Sequence, residues 1–161
     1  MSFKKIISLM CVPFFMFSIF VWAQDAAPKA QPADVTGVWL TQKPEKNAKI
    51  KIFECDGRLC GEIVWLESLT DPETGKPKLD KNNKDESLRT RPLMGLRLLS
   101  DFQGDPENPK GFINGHIYNP EDGDMYKCKM ELQADGTLKV KGFVEFLMFT
   151  PGKEQIWKKV G

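Results

Sequence analysis

The sequence predicts an all-β protein folded as a single eight-stranded antiparallel up-and-down barrel, with a β-sandwich as the alternative. Three observations lead there. Short segments of period-two or β-rich character recur from Thr36 to the end of the chain. Hairpin-length turns rich in Gly, Pro, Asn and Asp join nearly all of them. No segment carries a sustained helical stripe. Sequential antiparallel strands at this spacing favour closure, because a closed barrel removes the unpaired edges that an open sheet exposes.

The elements follow in order. Met1–Ala23 reads as a secretory signal peptide: Lys4 and Lys5 open it, Ile6 to Trp22 is an apolar run, and Val21-Trp22-Ala23 ends in a small residue suited to cleavage. Residues 24–34, rich in Ala, Pro and Gln, form a flexible lead-in. The domain spans 35–161. Its strands are Thr36–Gln42, Ala48–Glu54, Leu59–Leu66, Leu93–Phe102, Gly111–Tyr118, Met125–Leu132, Thr137–Phe146 and Glu154–Val160. In the second and third, alternation sets Ile50, Ile52, Ile63 and Trp65 on one inner face. Glu67–Pro92 is a long polar loop, unusual in a domain of this size.

Removing Met1–Ala23 leaves 138 of the 161 residues, enough for one domain, and turns the net charge from +1 to −1. A near-neutral chain lacks the concentrated positive face that nucleic acid requires, so nucleic acid is excluded as a partner. No second apolar stretch is long enough to span a bilayer, which leaves no transmembrane span after cleavage and a periplasmic or secreted protein. An uncleaved leader would serve as an anchor instead.

Of four cysteines, Cys11 leaves with the leader. Cys55 and Cys60 flank Asp56-Gly57-Arg58-Leu59. A four-residue loop would set them opposite each other, within reach of a disulfide. A two-residue type I′ turn at Asp56-Gly57 would make them diagonal and strain the bridge. Export favours the oxidised pair. Cys128 shares a face with Tyr126 and Met130 and reads as a buried thiol, with an intermolecular bridge as the alternative.

Gly37-Val38-Trp39 opens the first strand, and Ile156-Trp157-Lys158-Lys159 closes the last. Adjacent first and last strands would lay a cationic stem, Lys158, across an indole and close the barrel with Trp39 and Trp157. This resembles the lipocalin-like (calycin) arrangement, whose first strand carries a Gly-x-Trp. A second resemblance covers Asp34 to the end. Its blocks are Gly37-Val38-Trp39, Cys55-Asp56-Gly57-Arg58-Leu59-Cys60-Gly61 running into Ile63-Val64-Trp65-Leu66, Leu79-Asp80-Lys81-Asn82-Asn83 leading through Leu88-Arg89-Thr90-Arg91-Pro92-Leu93 to Gly95-Leu96, Gly115 leading to Ile117-Tyr118-Asn119-Pro120-Glu121-Asp122-Gly123 and Tyr126, Leu138-Lys139-Val140-Lys141-Gly142, and Trp157. These are similar to the DUF2147 family of uncharacterised secreted bacterial proteins. The resemblance implies export, a single β-rich domain and the Cys55/Cys60 pair, with no established activity. Where the family has a Tyr-Asp-Pro turn this chain reads Tyr118-Asn119-Pro120, so no carboxylate role passes to position 119.

The single histidine, His116, has no nucleophile motif near it, and one histidine with this cysteine spacing matches no zinc site. Asp80–Glu86 gathers oxygen ligands but fails the EF-hand spacing at Lys84 and Asp85, and reads as a solvated loop. Glu62, Glu131 and Glu145 are the strand-interior acids, and nothing in the sequence pairs them. No residue is therefore assigned to catalysis or to a metal, and no cofactor is implied. What remains is a binding cavity for a small apolar or amphipathic ligand. Ile50, Ile52, Ile63, Trp65, Tyr126, Met130, Leu138 and Val140 are its expected lining. They are also large enough to fill the barrel outright, the reading that would suit an envelope structural or interaction protein. Arg89 and Arg91 would meet a polar head at the rim, unless they pair with Asp80, Asp85 and Glu86 in their own loop.

Overall fold

The computed structural model describes residues 33–43, 46–145 and 151–161. The expected signal peptide and all of the lead-in before Ala33 lie outside them. Eight strands form a closed antiparallel barrel in sequence order: β1 Gly37–Leu40, β2 Ala48–Cys55, β3 Arg58–Leu66, β4 Arg97–Gly104, β5 Gly111–Asn119, β6 Asp124–Leu132, β7 Leu138–Phe143 and β8 Gly152–Lys159. Each strand pairs with its neighbours, and β1 closes on β8 through Trp39↔Lys159 and Leu40↔Lys158. Val38 N–H donates to Gly161 O at 2.8 Å and Val160 N–H to Val38 O at 2.8 Å, extending the seam.

The β2–β3 hairpin takes the two-residue turn. Asp56 and Gly57 have φ of 51° and 73°, the left-handed pair that type I′ demands, and Cys55 faces Arg58. The diagonal placement is no obstacle to the bridge. Cys55 and Cys60 are disulfide-bonded with Cα atoms 5.9 Å apart, inside the ordinary range.

Alternation fails at one predicted place. Ile50 pairs with Ile63, yet Lys49 pairs with Trp65, so Val64 is an extra residue on β3. The bulge reverses the faces beyond it. Trp65 therefore lies outside the barrel, 37% exposed, with the Lys49 ammonium 5.3 Å from its ring centre, and Leu66 takes the inward position. Exposed Lys51, Lys127, Lys129 and Lys158 occupy the outer face of other strands, which suits water and not hydrocarbon. No helix among the described residues is long and apolar enough to cross a membrane.

One end of the barrel is packed. Trp39, Phe102, Phe112, Leu99 and Leu138 fill it with almost no exposed surface, and Val35 joins them from below. The Trp39 indole N–H donates to Val35 O at 2.8 Å, satisfying its only polar group. The cation above Trp39 is Lys159, 5.6 Å from the ring centre, and not Lys158. Register explains the correction: Trp39 faces Lys159, whereas Lys158 faces Leu40 and points out. Ala33 and Asp34, the end of the expected lead-in, are tied down here. Ala33 N–H donates to Pro109 O at 2.7 Å, and Asp34 accepts from the Thr36 backbone and hydroxyl.

Gly37 cannot be another residue without cost. Its φ is 114°, and a Cβ there would stand 2.7 Å from Gly161 O. Gly37→Ala is expected to destabilise the barrel by about 1–3 kcal/mol, read as a lowered urea midpoint; an unchanged midpoint would contradict the closure described here. Cys128 is 1% exposed on the inner face of β6, and burial pushes its thiol up to about 12. Iodoacetamide at pH 8 is expected to leave Cys128 unmodified in the folded protein and to alkylate it after unfolding, as located by peptide mass mapping.

Candidate functional site

The other end of the barrel is open. A cavity of about 1150 Å³ enters between the β1–β2 loop, the β3–β4 loop, the β5–β6 turn and the start of β8. Its walls follow strand parity above the packed layer. Four expected lining residues, Ile50, Ile63, Tyr126 and Val140, face it, joined by Ala48, Leu66, Leu98 and Ile117. Trp157, expected as a closure residue, lies among the lining as well, buried to 1%. Ile52, Met130 and Leu138 are buried in the core cluster and do not line the cavity. Apart from Trp65, beyond the β3 bulge, parity told inside from outside; it carries no information about depth along the barrel axis.

On β8 the inner positions run Lys153, Gln155, Trp157, from mouth to floor. The Trp157 indole N–H donates to Gln155 Oε1 at 3.1 Å, so the indole's donor is occupied. Opposite Lys153 stands Gly142, which lines the cavity without filling it.

Most of the long β3–β4 connection is exposed, as expected of a solvated loop, but two of its polar residues are not. Asp80 is fully buried and Asn83 nearly so. Tyr118, near the end of β5, donates its hydroxyl to Asp80 Oδ1 at 2.7 Å. Asn83 Nδ2 donates to Oδ2 at 2.7 Å, and Arg91 reaches the same oxygen with Nε at 2.9 Å and Nη2 at 2.8 Å. Burial, and next the Asp80 carboxylate, hold the Tyr118 hydroxyl above its ordinary pKa, which keeps it a donor. The Arg91 guanidinium also lies 5.6 Å from the Tyr118 ring centre. Arg91 is therefore spent on the loop's own anchor. Arg89 is too: its Nε donates to Asn83 O at 2.8 Å and its Nη1 meets Glu86 at 3.0 Å. Neither lines the cavity, so the expected arginine rim is corrected to an internal staple.

Two more contacts seat the loop on the β5–β6 turn. Asn82 Nδ2 donates to Pro120 O at 3.1 Å and Glu121 O at 3.0 Å. Gly123, at φ 74°, has no side chain where the Asn82 carbonyl rests; a Cβ would clash with that oxygen. Asn119 caps the same turn and donates to Asp122 at 2.7 Å, a bond a carboxylate at 119 could not supply. Across the mouth, Lys46 bonds Glu121 at 3.1 Å and Lys43 lies 3.7 Å from it.

His116 does not line the cavity. Its Nδ1 is 3.5 Å from Asp101 Oδ2 without forming a hydrogen bond. Among the described residues no group of three or more His, Cys, Asp or Glu is arranged to hold a metal ion.

An eight-stranded up-and-down barrel, packed at one end around a Gly-x-Trp and hollow at the other, defines a lipocalin-like protein. Residues 37–159 match the family described as uncharacterised proteins conserved in bacteria, DUF2147, and the chain belongs to that family. Its structure is similar to that of protein HP1028 from the human pathogen Helicobacter pylori, which is described as belonging to the lipocalin family. The TM-score is 0.65 at 24% identity, covering 80% of this chain and 84% of that one, a likeness of fold. No curated protein matches the chain.

Removing the anchor is expected to release the loop. Tyr118→Phe leaves Asp80 Oδ1 without its donor and should cost about 1–3 kcal/mol. Asp80→Ala strands Arg91, Asn83 and Tyr118 together and should cost about 3–5 kcal/mol, with new tryptic cleavage between residues 67 and 96 below the unfolding midpoint. Wild-type protease resistance in the Asp80→Ala protein would contradict this assignment.

Proposed function

We propose that this is an exported protein of the bacterial cell envelope, periplasmic or secreted, that binds a small apolar or amphipathic molecule. The cavity carries the reading. Its volume, about 1150 Å³ with the mouth included, is just above the roughly 300–1,000 Å³ usual for small-molecule sites, and its inner walls are apolar with charged and polar groups around the mouth. A barrel serving only as a scaffold has no need of that space; the packed half shows that this chain fills its interior where large residues permit. Export is supported by the leader-like Met1–Ala23 and by the Cys55–Cys60 bridge, which an oxidising compartment sustains. Ile50, Ile63, Leu66, Ile117, Tyr126 and Val140 would contact the apolar part, and Trp157 its far end.

Filling the cavity should abolish binding. Gly142→Leu would project a side chain past Ile117 into the space, and Ala48→Trp would obstruct the mouth from β2. Displacement of an environment-sensitive fluorophore by a long-chain alcohol should weaken at least tenfold in each variant, or by about 1.4 kcal/mol. An unresponsive wild-type protein, or two filled variants that bind as it does, would contradict the reading.

A further inference from the structure

The mouth of the cavity carries charges of both signs, and they are unequally satisfied. Each described carboxylate there already has partners. Glu67 accepts from Asn47 N–H at 2.9 Å. Asp71 accepts from Glu73 N–H at 3.0 Å and from Lys81 at 3.4 Å. Glu121 is held by Lys46 and Lys43. Asp122 accepts from Asn119 at 2.7 Å, Tyr126 at 2.9 Å and Asp124 N–H at 3.0 Å. Among the described residues Lys78 and Lys153 also line the cavity, and neither makes a direct ion pair, although the Lys153 charge helps hold the Glu121 and Asp122 carboxyls below their ordinary pKa. Counted over the described lining, five lysines (Lys43, Lys46, Lys78, Lys81 and Lys153) stand against four carboxylates (Glu67, Asp71, Glu121 and Asp122), and Lys78 and Lys153 are the cations left to meet a ligand.

The position of these cations is as telling as their sign. Lys153, Gln155 and Trp157 alternate down one inner strand face, giving ammonium, amide and indole from rim to floor. Gly142, paired with Lys153, adds no side chain to the cavity wall beside it. Lys78 belongs to the β3–β4 loop, whose register is set by the Leu79↔Pro92 bridge and by Lys78 O accepting from Leu93 N–H at 2.9 Å. That loop is the one the Asp80 cluster fastens. The second lysine thus sits on a seated segment.

We propose that the ligand is an anionic amphiphile. Its hydrocarbon tail lies between Ile50, Ile117 and Val140 above Trp157, and its carboxylate or phosphate head meets Lys78 and Lys153. The proposal rests on the cavity reading and adds the charge of the head. Lysine ammoniums are point charges that do not demand the bidentate geometry of arginine, so carboxylate and phosphate satisfy the same chemistry. Because the pair is near water, its contribution is screened by salt.

The test is a set of ligands sharing one unbranched tail and differing only in head: carboxylate, monophosphate, alcohol and trimethylammonium, titrated into the wild-type chain at low and high salt. The carboxylate, the phosphate or both should bind about tenfold tighter than the alcohol at low salt, with trimethylammonium weakest, and the advantage should shrink as salt rises. The two anionic arms tell which head is preferred. In a Lys78→Ala/Lys153→Ala protein the anion-to-alcohol ratio should fall toward one, while Lys51→Ala, on the outer face of β2, should keep it. Equal binding of all four heads, tightest binding of trimethylammonium, or a ratio that survives the double substitution would overturn the head assignment and leave the cavity reading standing. Failure of every head group to bind would overturn both.

Discussion

The carboxylate of Asp80 is the constraint on which the open end depends. It is fully buried, and an isolated buried charge is costly enough that proteins surround it with donors or leave it out. Here Tyr118, Asn83 and Arg91 supply four contacts, drawn from two parts of the long loop and from β5. The group ties some thirty residues between β3 and β4 to the barrel wall. With that anchor made, Asn82 reaches the β5–β6 turn and Lys78 and Lys81 are placed at the mouth. A loop of this length without such a staple would have no reason to hold one shape.

The two halves of the barrel obey one rule with different residues. Inward positions at the closed end carry Trp39, Phe102, Phe112 and Leu138, whose volumes meet across the interior. Toward the open end β7 tapers from Leu138 through Val140 to Gly142, β2 begins with Ala48, and the interior is left hollow. The taper along β7 helps make a floor and a chamber from one sheet. Closure by Lys159 and Gly161 against Trp39 and Gly37 then seals the floor.

Much of this was legible in the residues. Period-two runs separated by turn chemistry located all eight strands to within a few residues, and Asp56-Gly57 announced its hairpin. The Gly-x-Trp placed Trp39 at the seam. Trp65 was misplaced because a bulge is invisible to strict alternation: Val64 looks like any β-branched strand residue, and only its pairing reveals the extra position. Ile52, Met130 and Leu138 have the parity of Ile50, Tyr126 and Val140 but lie deeper, and depth depends on strand stagger, which composition does not encode. Lys158 and Lys159 are neighbours whose roles are decided by which one faces Trp39. Asp80 was hardest to read, since Asp-Lys-Asn-Asn-Lys-Asp-Glu has the composition of solvated loop. Its partner Arg91 was named among the alternatives, but Tyr118, 38 positions away, could be found only in three dimensions.

The proposed function requires the hollow half of the barrel to be a binding chamber. Native mass spectrometry of the protein purified without denaturation from its natural host, followed by extraction of the released species, measures this most directly. It should show one small amphiphile per chain, lost when the protein is unfolded. Repeated recovery of the bare chain mass, from a barrel whose interior proves filled by its own side chains, would contradict it.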